Sequence, residues 1–177
     1  MSLPGRGEAL GILRDAGCSR GVVRHCVNVA GLAARIGGEL VDAGFDVNLA
    51  LVEAGALLHD LGRSVTHGTG HGAVGGELAR GLGLPIAVVR IIERHVGAGI
   101  PADEAAELGL PDGVYVPESL EEKLVCYADK LAEGRGEVEF GVTVGRMAEK
   151  LGEDHPALGR MWALHGEIAG MLGSSPR

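Results

Sequence analysis

The 177-residue chain contains few aromatic residues, few cysteines and too few basic residues to balance its acidic ones. Aromatic side chains make up 3% of the sequence, so we expect a core of alanine, valine, leucine and isoleucine. Three cysteines without a CxxC pair argue against a disulfide framework and favour the reducing cytoplasm. A net charge of −8 argues against a broad surface for binding nucleic acid. It does not exclude a small phosphorylated substrate, because a bound cation can supply positive charge locally.

The sequence also lacks a long apolar run. No run approaches the roughly 20 residues of a membrane-spanning helix, so we expect no membrane span. The N-terminal stretch MSLPGRGEAL has no basic end followed by an apolar run, and we therefore do not expect it to be a signal peptide. Glycine is abundant instead, with 31 scattered residues that indicate close helix packing and short turns. The length predicts one domain, 1–177.

Apolar residues recur at helical spacing along most of the chain, which predicts an all-α helical bundle. Ser19 and Asn48 are candidate N-caps, and Ser119 with Glu122 forms a predicted capping box. We expect helices at 6–16, 20–42, 49–61, 71–82, 85–96, 102–108, 120–132 and 156–172. Segment 133–145 is predicted to be a loop or a short strand pair near 136–144, and the terminal SSPR a frayed tail.

An imidazole and a carboxylate, those of His59 and Asp60, stand side by side in the string LLHDLGR at residues 57–63. Burying an aspartate at the end of an apolar run is costly unless another group pairs with it. Histidines and an aspartate elsewhere in the chain could join this pair and form a mixed nitrogen–oxygen metal site, suited to Fe, Mn, Ni, Co, Zn or Mg. The candidate metal ligands are His25, His59, Asp60, His71, His95 and Asp129.

One or two divalent ions could share these ligands, with Asp60 as a bridge. The first set comprises His25, His59, Asp60 and Asp129, and the second comprises Asp60, His71 and His95. Two cations about 3.5–4 Å apart can hold a bridging hydroxide and clamp a phosphate. His67, four residues before His71, is a rival ligand if its helix starts earlier.

The order of these residues resembles the HD-domain metal-dependent phosphohydrolase superfamily, and the string HDLGR resembles its HDIG variant. The strings VVRHCVNVA, HGAVGGELAR and YADK are similar to further elements of that superfamily, so the resemblance covers about residues 19–132. The whole-chain pattern, including IERHVGAGIP and YVPESLEEKLVCYADK, resembles a small prokaryotic HDIG family. Two departures from the common HDIGK form are Leu61 in place of isoleucine and Arg63 in place of lysine.

The resemblance implies an all-α fold and hydrolysis of a phosphomonoester or phosphodiester. The two additional histidines, His71 and His95, favour the dinuclear branch of the superfamily, and the missing glycine-tyrosine-proline signature disfavours cyclic-di-GMP. We expect Asp60 to be catalytic as a metal ligand, and Arg63 and Lys130 to offset charge on the transition state. Arg63 could instead be a surface cation, and Lys130 could simply be solvated.

These patterns predict a hydrolase that acts on a small, nucleotide-like phosphorylated substrate. The rival interpretation is a catalytically silent regulatory protein that binds metal or nucleotide. The sequence does not decide between a monomer and a homo-oligomer. Loop 97–119 is expected to shape a substrate pocket in which Tyr115 could stack on a base. We interpret Glu93 with Arg94 as a pair on a helix surface, and His155 and His165 as ordinary surface or core residues.

Overall fold

Helices make up most of residues 2–173, the part of the chain that the computed structural model describes. Within this range the chain forms nine α-helices: α1 (Arg6–Asp15), α2 (Arg20–Asp42), α3 (Leu49–Leu58), α4 (His71–Gly81), α5 (Ile86–Arg94), α6 (Ala102–Glu107), α7 (Leu120–Leu131), α8 (Phe140–Leu151) and α9 (Pro156–Met171). A 3₁₀-helix, Leu61–Ser64, follows α3. The predicted all-α fold is confirmed, whereas the expected fraying of SSPR concerns residues outside the described range.

Short polar side chains begin three of these helices where the sequence predicts. The Ser19 hydroxyl accepts the Val22 N–H at the start of α2, and Asn48 caps α3 in the same way. Ser119 and Glu122 form the full capping box of α7. These caps satisfy N–H groups that a helix cannot satisfy internally.

The core lies around α2, α3 and α7, which pack against one another. Helix α3 is apolar on most sides and buries Val52, Leu57 and Leu58 completely. It also contacts α1 and α5, while α5 packs against α4. The string that follows α3 is therefore held at the centre of the bundle.

Segment 133–145 differs from its prediction. Two short antiparallel strands, β1 (Ala132–Glu133) and β2 (Gly136–Glu137), pair earlier than expected, around a turn in which Gly134 has φ of +58°. The expected loop or strand near 136–144 is wrong from residue 140 onward, where α8 begins. The glycines and β-branched residues of α8 are weak helix formers, but Phe140 and Val144 lie one turn apart on this helix and are both buried. Tertiary packing therefore overrides local propensity here.

Loop 97–119 packs on the bundle through a second, smaller apolar cluster. Ile100, Ala105 and Tyr115 of the loop pack with Ala73 of α4. Tyr115 is only 5% exposed and its hydroxyl donates to the carbonyl of Pro111, so the structure contradicts the expected stacking on a base. None of the helices described within residues 2–173 is long and apolar enough to cross a membrane.

Candidate metal centre

The fold brings all six predicted ligand residues together. His25 projects from the second turn of α2, and His59 and Asp60 lie between α3 and the 3₁₀-helix. The other three lie at the start of α4, just after α5 and near the end of α7, and are His71, His95 and Asp129. Five separate segments therefore contribute to one cluster.

One half of the cluster lies around the first candidate set. The Nε2 atom of His25 is 2.9 Å from Asp129 Oδ1 and 3.9 Å from Asp60 Oδ2. The Nε2 atom of His59 is 3.5 Å from the same Asp129 oxygen and 3.7 Å from the same Asp60 oxygen. Two imidazoles and two carboxylates therefore point at one small volume.

The other half lies around the second oxygen of Asp60. His71 Nε2 is 3.2 Å and His95 Nε2 is 3.5 Å from Asp60 Oδ1. The two imidazole nitrogens are 2.9 Å from each other. Each oxygen of Asp60 thus faces one pair of histidines, which is the arrangement expected of a bridging carboxylate.

Backbone contacts orient three of the imidazoles. The Nδ1 atoms of His59, His71 and His95 lie 2.7, 2.8 and 2.7 Å from the carbonyl oxygen three residues earlier in the chain. Because a carbonyl only accepts, each Nδ1 carries the hydrogen and a neutral ring then presents its Nε2 lone pair to the cluster. Such a hydrogen bond from the second ring nitrogen is typical of histidines that bind metals.

Two buried polar atoms at the centre of this cluster lack a hydrogen-bond partner in the described part of the chain. The Nε2 atom of His59 and Oδ1 of Asp60 are buried and have no hydrogen-bond partner among residues 2–173. The Nε2 lone pairs of neutral His71 and His95 face each other across 2.9 Å. Ligands about 2.1 Å from one ion lie about 3.0–3.4 Å from each other, close to the observed separations. The residues therefore fit a divalent cation by charge, donor type and spacing.

Electrostatics of the cluster favour ionised carboxylates. Burial disfavours the charged form of Asp60, but the surrounding imidazoles, chiefly that of His59, outweigh it and hold its pKa well below the usual range. Burial also opposes ionisation of Asp129, whose pKa is nevertheless lowered, chiefly by Lys130. Burial lowers the pKa of His95 to about 4, which keeps this imidazole neutral near pH 7. Neutral imidazole and ionised carboxylate are the forms that bind metal.

Arg63 and Lys130, the two predicted catalytic cations, occupy different positions. The Nε–H of Arg63 donates to Asp60 Oδ2 at 2.7 Å, and the side chain lines a cavity beside the cluster. Lys130 is buried, with its ammonium on Asp129 Oδ2 and 3.2 Å from the His95 carbonyl oxygen. The interpretation of Lys130 as a solvated residue is therefore wrong, and its described contacts are with the cluster rather than with the cavity.

Sequence reasoning missed a buried ionic network behind His95. Arg94 is 6% exposed and donates to the carboxylates of Glu118 and Glu122 at 2.8 Å. The predicted surface pair of Glu93 with Arg94 is wrong, because Glu93 instead pairs with Arg80. An arginine beside a glutamate on an amphipathic helix has no local signature of burial, so only the capping box that holds Glu122 could have suggested this partner.

The remaining histidines lie outside the cluster. His67, the rival ligand, is exposed, and His155 caps α9 with its Nδ1 atom while lining the same cavity as Arg63. His165 is buried between Phe140 and Trp162, 2.9 Å from the Tyr127 hydroxyl. The interpretation of His155 and His165 as ordinary surface or core residues agrees with these positions.

Comparisons with known proteins agree with this geometry. A family model described as the HD domain matches residues 22–134. An uncharacterized protein of Methanocaldococcus jannaschii is 44% identical over 165 residues, which are 93% of this chain and 97% of that protein. The tRNA (cytidine(56)-2'-O)-methyltransferase of Thermoplasma volcanium is 37% identical over 97% of this chain but 48% of its own length, so the chain spans about half of that relative.

A solved structure shows the same fold. The HD domain of the phosphodiesterase PgpH from L. monocytogenes, crystallised in complex with cyclic-di-AMP, has a TM-score of 0.54 and 16% sequence identity. The similarity covers 97% of this chain and 99% of that one. The helical arrangement is therefore shared at low sequence identity.

Proposed function

Since the chain belongs to the HD-domain family, we propose that it is a metal-dependent phosphohydrolase acting on a nucleotide-like phosphomonoester or phosphodiester. The observation that carries the proposal is the position of Asp60, each of whose oxygens faces a separate pair of inward-pointing imidazoles. A structural role alone does not account for a buried carboxylate oxygen and a buried imidazole nitrogen without partners. We also retain the prediction of a single cytoplasmic domain, 1–177.

The chain's own residues divide the work as follows. His25, His59 and Asp129 would hold one ion and His71 with His95 a second, and Asp60 would be shared. Divalent ions bound there act as Lewis acids and make water nucleophilic at neutral pH. Lys130 keeps the Asp129 carboxylate ionised and fixes its direction. Beyond its bond to Asp60, Arg63 retains N–H donors on the cavity side that suit a phosphate oxygen.

The decisive experiment measures hydrolysis and metal content together. The protein is assayed with p-nitrophenyl phosphate and bis-p-nitrophenyl phosphate, with Mn, Ni, Co, Fe, Zn or Mg added in turn. We expect metal-dependent release of p-nitrophenol from at least one ester. The variant Asp60→Asn keeps the shape of the side chain but removes the shared charge, so metal and activity should be lost together.

Asp103→Asn is the matched control, because Asp103 is an exposed carboxylate on α6 outside the cluster. It should leave metal content and hydrolysis unchanged. Full activity in metal-free Asp60→Asn protein would refute the proposal. Silence on both esters with metal bound would favour the rival interpretation of a regulatory protein.

A further inference from the structure

A cavity of about 620 Å³ opens beside the second half of the cluster. Arg63 and His71 line its inner end, so the cavity is continuous with the candidate metal centre. Its volume lies within the range of about 300–1,000 Å³ found for small-molecule sites. Its outer wall comes from α8 and α9, which lie beyond the matched HD segment 22–134.

The lining of this cavity combines charged and apolar residues. Next to the cluster the lining carries the guanidinium of Arg63, which contacts Asp60. Other lining residues are apolar, among them Ile100 and Leu108 from loop 97–119 and Leu151 from α8. An anionic group therefore suits the inner end, and a flat, largely apolar group suits the apolar part of the lining.

Away from the candidate metal centre, some of the described charged groups that line the cavity form an ion pair and others do not. Arg160 of α9 binds Glu104 of α6 through two hydrogen bonds of 2.9 and 2.6 Å, which joins the two walls and neutralises both charges. Among residues 2–173, Lys150 and Glu107 line the cavity without forming an ion pair. His155 accepts the Ala157 N–H with Nδ1, so its neutral ring carries a hydrogen on Nε2. This part of the lining thus offers both donors and an acceptor, as the edge of a nucleobase requires.

We propose that this cavity binds the nucleoside part of a mononucleotide, with the phosphate at Arg63 beside the candidate metal centre and the base against the apolar part of the lining. This inference rests on the proposed function and narrows its substrate to a small nucleotide, as opposed to an internal bond of a polynucleotide. Lys150, Glu107 and His155 are specificity-determining residues at the edge of the base.

Tryptophan substitutions test the proposal because they fill the cavity without disturbing the core. Leu151→Trp and Leu108→Trp act from opposite walls, and both leucines are about half exposed, 44% and 51%. The control Val142→Trp lies on α8 at an equally exposed position, 42%, outside the cavity lining. The probes are the 5′- and 3′-monophosphates of adenosine, guanosine, cytidine and uridine, compared with ribose 5-phosphate, which has the phosphate and the sugar but no base.

For the best nucleotide, both cavity variants should raise KM and the calorimetric Kd by about tenfold or more. Their constants for ribose 5-phosphate, which has no base to place against Leu151 and Leu108, and all constants of Val142→Trp should stay within about twofold of wild type. Equal losses on nucleotide and ribose 5-phosphate would overturn the inference, as would preferential cleavage inside an oligonucleotide. So would a failure of every monophosphate to bind.

The calorimetric measurement of nucleotide binding tests the cavity assignment independently of the proposed function. If metal-loaded protein hydrolyses no ester, the proposed function fails, yet nucleotide binding that is weakened by Leu151→Trp and Leu108→Trp still supports the cavity assignment. If hydrolysis occurs but nucleotide binding ignores both substitutions, the cavity assignment fails and the proposed function stands.

Discussion

Lys130 is a buried cation whose main partner is the carboxylate of Asp129. Its ammonium contacts Asp129, and each group shifts the pKa of the other against the effect of burial, raising that of Lys130 and lowering that of Asp129. Breaking a buried pair by removing one partner leaves an uncompensated charge. The lysine is therefore as important to the metal-free protein as the aspartate that it accompanies.

Replacing Lys130 with methionine should destabilise the metal-free protein by roughly 3–5 kcal/mol, because Asp129 then remains buried without its main counter-charge. The measurement is urea unfolding with a chelator present. Lys123→Met, on the same helix, removes a half-exposed ion pair with Glu167 and should cost at most about 1 kcal/mol. Equal costs for the two variants would show that Asp129 obtains its compensation elsewhere.

At the scale of elements, glycines determine how closely α4 approaches the cluster. A Cβ atom on Gly62 would overlap the carbonyl oxygen of His71 and lie 2.6 Å from the backbone nitrogen of Gly75. Both obstacles are backbone atoms, which cannot rotate aside. The 3₁₀-helix and α4 can therefore touch, and His71 can reach Asp60, only because residue 62 has no side chain.

Gly62→Ala should push α4 away, lower the free energy of unfolding by about 1–3 kcal/mol and reduce the amount of metal that the protein retains. Calorimetry and metal analysis measure the two effects. Gly31→Ala, in the exposed middle of α2 with nothing near its Cβ position, should instead stabilise the protein by about 0.5–1 kcal/mol. Wild-type metal content in Gly62→Ala protein would contradict the close-approach argument.

For the whole molecule, the long helices could be predicted from apolar periodicity, which is a local signal. The six-residue cluster could be predicted from the ordered motifs that resemble the HD-domain superfamily. Helix α8 could not, because Gly141 and Gly145 weaken it locally and the burial of Phe140 and Val144 stabilises it. The burial of Arg94 also depends on residues more than 20 positions away. Structure that local patterns or a family motif encode could therefore be predicted. The helical state of α8 and the burial of Arg94 could not, because both depend on packing against residues elsewhere in the chain.

His165 should give the metal-free protein a contribution to stability that is lost as the pH falls below 6.5. Burial lowers the pKa of His165 below 6.5, so the unfolded chain takes up this proton first. Its contribution is present above pH 6.5 and is lost as the pH falls toward the lower folded pKa. His165→Phe, which retains an aromatic ring against Phe140, should therefore flatten the dependence of the unfolding midpoint on pH.

The dependence of the unfolding midpoint on pH is measured by urea unfolding across this pH range with a chelator present. The variant also loses the hydrogen bond to Tyr127, but this loss does not supply the slope. His67→Asn, a change at an exposed imidazole, should reproduce the wild-type slope. An unchanged slope in His165→Phe would rule His165 out as a source of acid sensitivity.

The contact between His25 and Asp129 spans 104 positions. Contacts between residues so far apart form late, because a long loop has to close first. During synthesis, a nascent chain that has emerged only as far as Ser119 already displays His25, His59, His71 and His95 but lacks α7 and its carboxylate. With this ligand assignment, α7 must emerge from the ribosome before a complete pocket for an ion exists, so metallation follows translation of α7.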